Sequence, residues 1–283
     1  MTYCKCCRKK LKPNGEGGRI DCQYCGTINY VRREEFDTTG WLESFAISRE
    51  TLWALLIGAV SSFVITFMDF PFLSFILDYF NTLVHELGHT LMSIALGFPA
   101  LPAFDFQHGG GVTIHLEEPN NTLRILVFCG LAIPLWYFRK YKTILLIPIA
   151  TIAFILACLK FHWEELAILV MGHGTVLLMS WIFLFRGLSN VAVHNYAEKI
   201  AYFFLGFFSV FCEFRFAVKV ISDDDFRLRY FDGKGGVDND FVRLSENLNT
   251  TVDILLGYHI IACFAVPVLA YISYVYAMKY YSQ

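Results

Sequence analysis

The sequence is dominated by apolar runs of about twenty residues, the length that an α-helix needs to cross the hydrocarbon core of a bilayer. Hydrophobic residues make up 56% of the 283-residue chain, and charged residues only 17%, below the share usual in soluble domains. These runs predict an all-α polytopic membrane protein. Seven candidate transmembrane helices have the approximate bounds 51–69, 73–97, 122–138, 142–159, 164–186, 197–219 and 254–279.

Two polar segments interrupt this pattern and define the domain organisation. Residues 1–50 are basic and rich in cysteine, and they lack the apolar core of a signal peptide. We therefore predict a small N-terminal domain over residues 1–36, a linker over 37–50 and a transmembrane domain over 51–283. Within that domain, residues 221–250 are polar and predict a solvated loop or small cap.

The cysteines of the N-terminal segment have the spacing of a zinc ribbon. Cys4-x-x-Cys7 and Cys22-x-x-Cys25 are two thiolate pairs separated by 14 residues, and Cys6 is an alternative to Cys4. Four thiolates close all positions of a tetrahedral zinc, so this ion would be structural. A disulfide-bonded extracytoplasmic segment is the alternative, but the basic character of this end favours the reducing cytoplasm.

A second metal-ligand pattern lies inside the second apolar run, as His85-Glu86-Leu87-Gly88-His89. Residues i and i+4 of a helix share one face, so both histidines can bind one zinc ion. Glu86 lies beside that face, where a carboxylate can accept the proton of a zinc-activated water. Ionisable groups within a membrane helix are costly, which favours a functional site over a chance occurrence.

The residues that follow strengthen this interpretation. Pro99 and Pro102 end the helix, and Gly109–Gly111 precede the β-prone Val112–Ile114. The His85–His89 motif with apolar flanks, followed by an irregular strand-forming segment, resembles the zinc-binding region of the site-2 protease family. Members of that family are intramembrane zinc metalloproteases.

The resemblance implies a re-entrant segment or β-hairpin beside the motif helix. Irregular backbone at membrane depth is tolerated where it lines a protein-walled cavity, and an exposed strand edge there can pair with an unwound substrate. The candidate substrate-binding residues in this segment are His108, Gly109, Gly110, Gly111 and His115.

The third zinc ligand is not given by the family pattern. The family generally supplies an aspartate from a Leu-Asp-Gly motif, which this sequence lacks. Asp253 is the nearest analogue, but it falls at the start of the last predicted span. His173 lies between two glycines at about the depth of His85 and His89, and small residues let membrane helices approach closely. We therefore predict His173 as the third ligand, with Asp253 as the alternative.

Together these features predict an intramembrane zinc metalloendopeptidase with Glu86 as its general base, one catalytic zinc and one structural zinc. The expected partners are a membrane-protein substrate, the lipid bilayer and a cytosolic regulator bound through the ribbon. The net charge of −2 gives no electrostatic basis for nucleic-acid binding. We expect a multi-pass protein of the bacterial inner membrane with a cytoplasmic N-terminus.

Two alternatives belong to other functional classes. The first is a membrane metal-binding protein without proteolytic activity, such as a transporter or a scaffold. The second is a zinc-dependent hydrolase of another substrate, for instance a lipid, because water activation does not specify the carbonyl that is attacked.

Overall fold

The chain forms two compact units, Met1–Ala46 and Ile47–Gln283. A computed structural model describes residues 18–21, 28–31, 47–68, 70–105, 110–116, 118–139, 142–233 and 239–281. In the first unit, β1 (Gly18–Asp21) pairs antiparallel with β2 (Ile28–Val31). The zinc ribbon remains a prediction, because its proposed ligands lie outside the described residues: Cys4, Cys7, Cys22 and Cys25.

The second unit is mostly helical, which confirms the predicted helical character of this part of the chain. Its elements in chain order are α1 (Arg49–Phe67), α2 (Pro71–Leu96), β3 (Ala100–Phe104), β4 (Gly111–His115), α3 (Asn121–Tyr137), α4 (Lys142–Phe161), α5 (Glu164–Ser189), α6 (Tyr196–Ser222), α7 (Asp224–Phe231), α8 (Asp240–Asn247) and α9 (Val252–Tyr281). Every segment predicted to span the membrane is a helix. The polar segment 221–250 contains two short helices, α7 and α8, which the sequence analysis did not resolve.

Three helices among the described residues are long and apolar enough to cross a membrane. They are α1, α5 and residues 252–279 of α9. Helix α3 and residues 145–161 of α4 are apolar but shorter. The exposed face of α9 carries large apolar side chains, including Ile261 and Phe264, both about two-thirds exposed. Such a surface suits lipid better than water.

Local signals set the ends of the helices. Helix α1 begins after Ser48, whose side-chain oxygen accepts a hydrogen bond from the Thr51 amide. Asn195 caps α6 in the same way. Helix α2 begins at a proline and ends at Gly97, which has the left-handed φ of 95° that favours glycine. That turn directs the chain into the β3–β4 hairpin.

The β3–β4 hairpin is antiparallel and packs against α2. Ala100 pairs with His115 at its base, and Phe104 pairs with Gly111 near its tip. The strand-forming segment predicted after the motif helix is thus a hairpin whose second strand contains Gly111 and His115.

Close helix packing depends on small residues. Helices α1 and α6 meet where a β-carbon added at Gly58 would lie 2.6 Å from the Phe203 Cβ and 2.8 Å from the Phe204 backbone nitrogen. Phe203 is fully buried, in a core formed by α1, α5, α6 and α9. Neither the Phe203 Cβ nor the Phe204 nitrogen can move without shifting the α6 backbone.

Gly58→Ala is therefore expected to destabilise the protein by about 1–3 kcal/mol, because overpacking outweighs the better helix propensity of alanine. Thermal unfolding in detergent measures the change. Gly257→Ala in α9 is the matched control, since a β-carbon there meets no atom within 4 Å. Equal melting temperatures for the two variants would contradict the close contact.

Candidate functional site

Helix α2 places the histidines of its motif side by side. The Nε2 atoms of His85 and His89 lie 3.0 Å apart, as expected for residues separated by one helical turn. His89 is buried, and its Nδ1–H donates a 2.7 Å hydrogen bond to the carbonyl of Ile168 in α5. This bond uses Nδ1 and orients the ring so that Nε2 faces His85.

Asp240, the first residue of α8, completes this group. Its Oδ2 atom lies 3.0 Å from Nε2 of His85 and 3.0 Å from Nε2 of His89. The three ligand-type atoms thus converge on one point, although 151 residues separate His89 from Asp240. We refer to His85, His89 and Asp240 as the first cluster.

The packing of α8 explains why Asp240 reaches the histidines. Phe241 and Leu244, one face of this short helix, are buried against α5, α6 and α9. The Asn239 side-chain amide donates a 2.6 Å hydrogen bond to the carbonyl of Tyr230 in α7. The buried apolar side chains hold α8 against α5, α6 and α9, and this bond connects its start to α7.

The electrostatics of Asp240 favour its ionised form. Burial alone would raise its pKa, but hydrogen bonds and charge interactions with His85 and His89 outweigh burial and hold the pKa well below the usual range. The first cluster therefore presents a carboxylate and two imidazole nitrogens, which are common zinc ligands.

The spacing of the first cluster suits zinc. Tetrahedral coordination with bonds of about 2.0–2.1 Å places ligand atoms about 3.3 Å apart, close to the observed 3.0 Å separations. Three protein ligands leave a fourth position for water, as in catalytic rather than structural zinc sites.

Glu86 lies beside the cluster and is held by the hairpin. The Thr113 hydroxyl lies 2.7 Å from Glu86 Oε2, to which it donates, and 3.0 Å from the Glu86 backbone carbonyl. A β-carbon added at Gly111 would lie 2.7 Å from Glu86 Oε1, so only glycine lets β4 approach this closely. The hairpin thus positions Glu86, the buried carboxylate of α2 that lies beside the first cluster.

Helix α5 also approaches the first cluster through glycine. A β-carbon at Gly172 would lie 2.7 Å from Cε1 of His85 and would overlap the His89 imidazole. A β-carbon at Gly88 would overlap the backbone carbonyl of Met171. Glycines on both helices therefore allow the imidazoles to lie directly against the α5 backbone.

A cavity of about 930 Å³ opens onto these groups. Its wall includes the first cluster, Glu86, and hairpin residues Gly110, Gly111 and His115. Three of the predicted substrate-binding residues therefore line the same space as the motif. His108 and Gly109 lie outside the described residues.

The structure places His173 differently from the prediction. It lies beside the first cluster, with its ring centroid 4.5 Å from that of His85, but its Nδ1–H donates a 2.6 Å hydrogen bond to Glu213 Oε2. Asp253, the alternative ligand, is exposed and forms bonds of 2.7 and 3.0 Å with the Arg227 guanidinium. The third position beside His85 and His89 belongs to Asp240.

Asp240 was not predicted as a ligand, because residues 221–250 were interpreted as a solvated loop or small cap. One signal was present: Phe241 and Leu244 follow this aspartate at helical spacing, which is typical of a short amphipathic helix that packs on another surface. An acidic residue at the start of such a helix is carried to the surface against which the helix packs.

Comparisons of the chain with protein-family models, curated proteins and solved structures found no match. The function is therefore inferred from the geometry of the site itself.

Asp240→Ala is expected to weaken zinc binding by more than about 100-fold, since loss of a residue that only supports a ligand already costs 10–100-fold. Zinc per chain, measured by mass spectrometry after dialysis, should fall relative to the wild type. Asp253→Ala is the control and should retain the wild-type content. The reverse pattern would restore Asp253 as the ligand.

Gly172→Ala is expected to displace the His85 and His89 imidazoles and to lower zinc content in the same assay. Gly174→Ala is a matched control two residues away on α5, because its β-carbon would have Met171 Sδ as nearest neighbour, at 3.8 Å. If both variants held zinc equally well, α5 would not approach the imidazoles as closely as described.

Proposed function

We propose that this protein is an intramembrane zinc metallopeptidase, which hydrolyses peptide bonds of membrane proteins within or near the bilayer. The observation that carries this proposal is the first cluster, with Glu86 beside it at the wall of a large cavity. Two histidines, a carboxylate ligand and a neighbouring free carboxylate form the side-chain set of a water-activating zinc hydrolase.

Each residue has a role in the proposed reaction. Zinc held by His85, His89 and Asp240 would lower the pKa of water and polarise a carbonyl. Glu86 accepts a proton from the attacking water and returns it to the leaving amine. The hydrogen bond from the Thr113 hydroxyl orients the Glu86 carboxylate.

The remaining parts of the proposal concern the membrane. The three apolar helices support insertion, and we propose that α2, α3, α4 and α6 cross the bilayer with them. Polar groups such as Glu86 and Glu213 lower the hydropathy of α2 and α6, but they face the interior of the domain. A cytoplasmic N-terminus and a location in the bacterial inner membrane complete the proposed topology.

The substrate class follows from the hairpin. The β3–β4 hairpin packs on α2, and Gly110, Gly111 and His115 face the cavity. We propose that an unwound segment of a membrane protein extends along these residues, since extended backbone pairs with an exposed strand edge by main-chain hydrogen bonds. The N-terminal segment would recruit the substrate or a cytosolic regulator through its structural zinc.

Glu86→Gln is expected to lower proteolysis by about 10²–10⁴-fold and to leave zinc content unchanged, because amide replacement removes the proton acceptor and no ligand. New protein termini in membranes of expressing cells, identified by mass spectrometry, measure the activity. In cells with the wild type, but not with Glu86→Gln, they should map within or near transmembrane segments.

The exposed Glu118→Gln, which leaves the cavity unchanged, controls for expression and folding in this experiment. An identical set of termini from the wild type and from Glu86→Gln would reject the peptidase and favour a non-proteolytic metal-binding protein. A difference confined to lipid products would favour a hydrolase of another substrate.

A further inference from the structure

A second group of metal-ligand side chains lies deeper in the membrane domain. Glu213 of α6 lies between His173 of α5 and His259 of α9, with its Oε2 atom 2.6 Å from His173 Nδ1 and 2.9 Å from His259 Nε2. All three ligand-type atoms fall within 4.8 Å of one another. We refer to these three residues as the second cluster.

Burial makes a net charge on the second cluster energetically unfavourable. The side chains of Glu213 and His259 are at least nine-tenths buried, and His173 is only slightly more exposed. Among the described residues, the Glu213 carboxylate accepts a hydrogen bond from His173, whereas the buried His259 Nε2 lies within 2.9 Å of it without a hydrogen-bond partner. If both imidazoles are neutral, the group carries a net negative charge in apolar surroundings, which is unfavourable without a compensating cation.

The second cluster adjoins the first. The rings of His85 and His173 meet edge to face at 4.5 Å, and both Glu213 and His173 line the cavity that contains the first cluster. Glu86, Asp240 and Glu213 therefore bring three carboxylates to one continuous region. A divalent cation at each cluster would offset the charge of the carboxylate that binds it.

Among the described residues, no lysine or arginine forms an ion pair with Glu213. Arg215, two residues further along α6, contacts Asp78 at 3.8 Å. Arg243 of α8 donates a 2.7 Å hydrogen bond to Glu165. Both guanidiniums thus have carboxylate partners of their own.

We propose that His173, Glu213 and His259 bind a second divalent metal ion, zinc by the character of the ligands, next to the one held by the first cluster. Two histidines and a glutamate are a known zinc ligand set. Paired ions a few ångströms apart recur in hydrolases, where they bind the attacking and leaving oxygens together. Binding at this site does not depend on the peptidase activity proposed above.

Zinc stoichiometry tests this proposal. The full chain carrying Cys7→Ser and Cys25→Ser is treated with a chelator, saturated with Zn²⁺ and freed of excess ion. These substitutions fall in the separate unit Met1–Ala46 and remove the predicted cysteine site. This background should hold about two zinc ions per chain, one for each cluster. About one would overturn the proposal.

Glu213→Gln in the same background should hold about one zinc ion. The matched control is Glu198→Gln, which makes the same change on the same helix at a glutamate that bonds an exposed histidine, His194. It should keep about two ions. Undiminished zinc in Glu213→Gln would show a purely hydrogen-bonded cluster and overturn the proposal.

Three further variants separate this proposal from the proposed function and from misfolding. Asp240→Asn should also lose about one ion, and the double variant with Glu213→Gln about two. Loss in Glu213→Gln without loss in Asp240→Asn would reject the ligand set of the proposed function and retain the second site. If Glu213→Gln does not fold, His259→Gln is used in its place. It should also lose about one zinc ion, and undiminished zinc would overturn the proposal.

Discussion

The contact of Asp240 with His85 and His89 connects the polar segment that contains α7 and α8 to the apolar helices of the second unit. An ionised carboxylate next to apolar helices is stable only when hydrogen-bond donors or cations meet it, because its desolvation is not otherwise compensated. Two imidazoles from α2 provide that compensation. The polar segment that contains α7 and α8 therefore packs as part of the site, with Phe241 and Leu244 buried beneath it.

Glycine makes this arrangement sterically possible. Two elements approach the motif of α2 closely at three points: α5 at Gly172, the hairpin at Gly111, and α5 again opposite Gly88. At each contact, backbone atoms occupy the space that a side chain would otherwise fill. The imidazoles and Glu86 are therefore packed against atoms that cannot rotate away. Rigid support of this kind holds reacting groups in a fixed geometry.

Much of the helical framework could be predicted from the sequence, because apolar runs of membrane length leave the backbone few alternatives. The pairing of His85 with His89 and the hairpin beside Glu86 were also predictable, from helical periodicity and from the proline and glycine pattern. His173 was expected at the depth of the first cluster, and it does lie beside His85. Depth alone, however, cannot show that its Nδ1 bonds Glu213.

The role of Asp240 could not be predicted for a related reason. The comparison of depths considered only ligands that lie within a predicted span. Asp240 instead lies in α8, part of the polar segment, and reaches the histidines because α8 packs against α5, α6 and α9. Glu213 and His259 were not recognised as a cluster, since their convergence depends on the rotation of α6 and α9 about their axes. Periodicity gives the relative orientation of residues within one helix but not between helices.

The position of Asp240 along the chain also has a consequence for biogenesis. The ribosome delivers His85 and His89 long before Asp240, and His259 comes later still. Neither cluster can form in a nascent chain until the helices that contribute its residues have been synthesised, and the first cluster also requires α8 to bring Asp240 to α2. A partly synthesised chain therefore contains His85 and His89 without the third residue that completes their cluster.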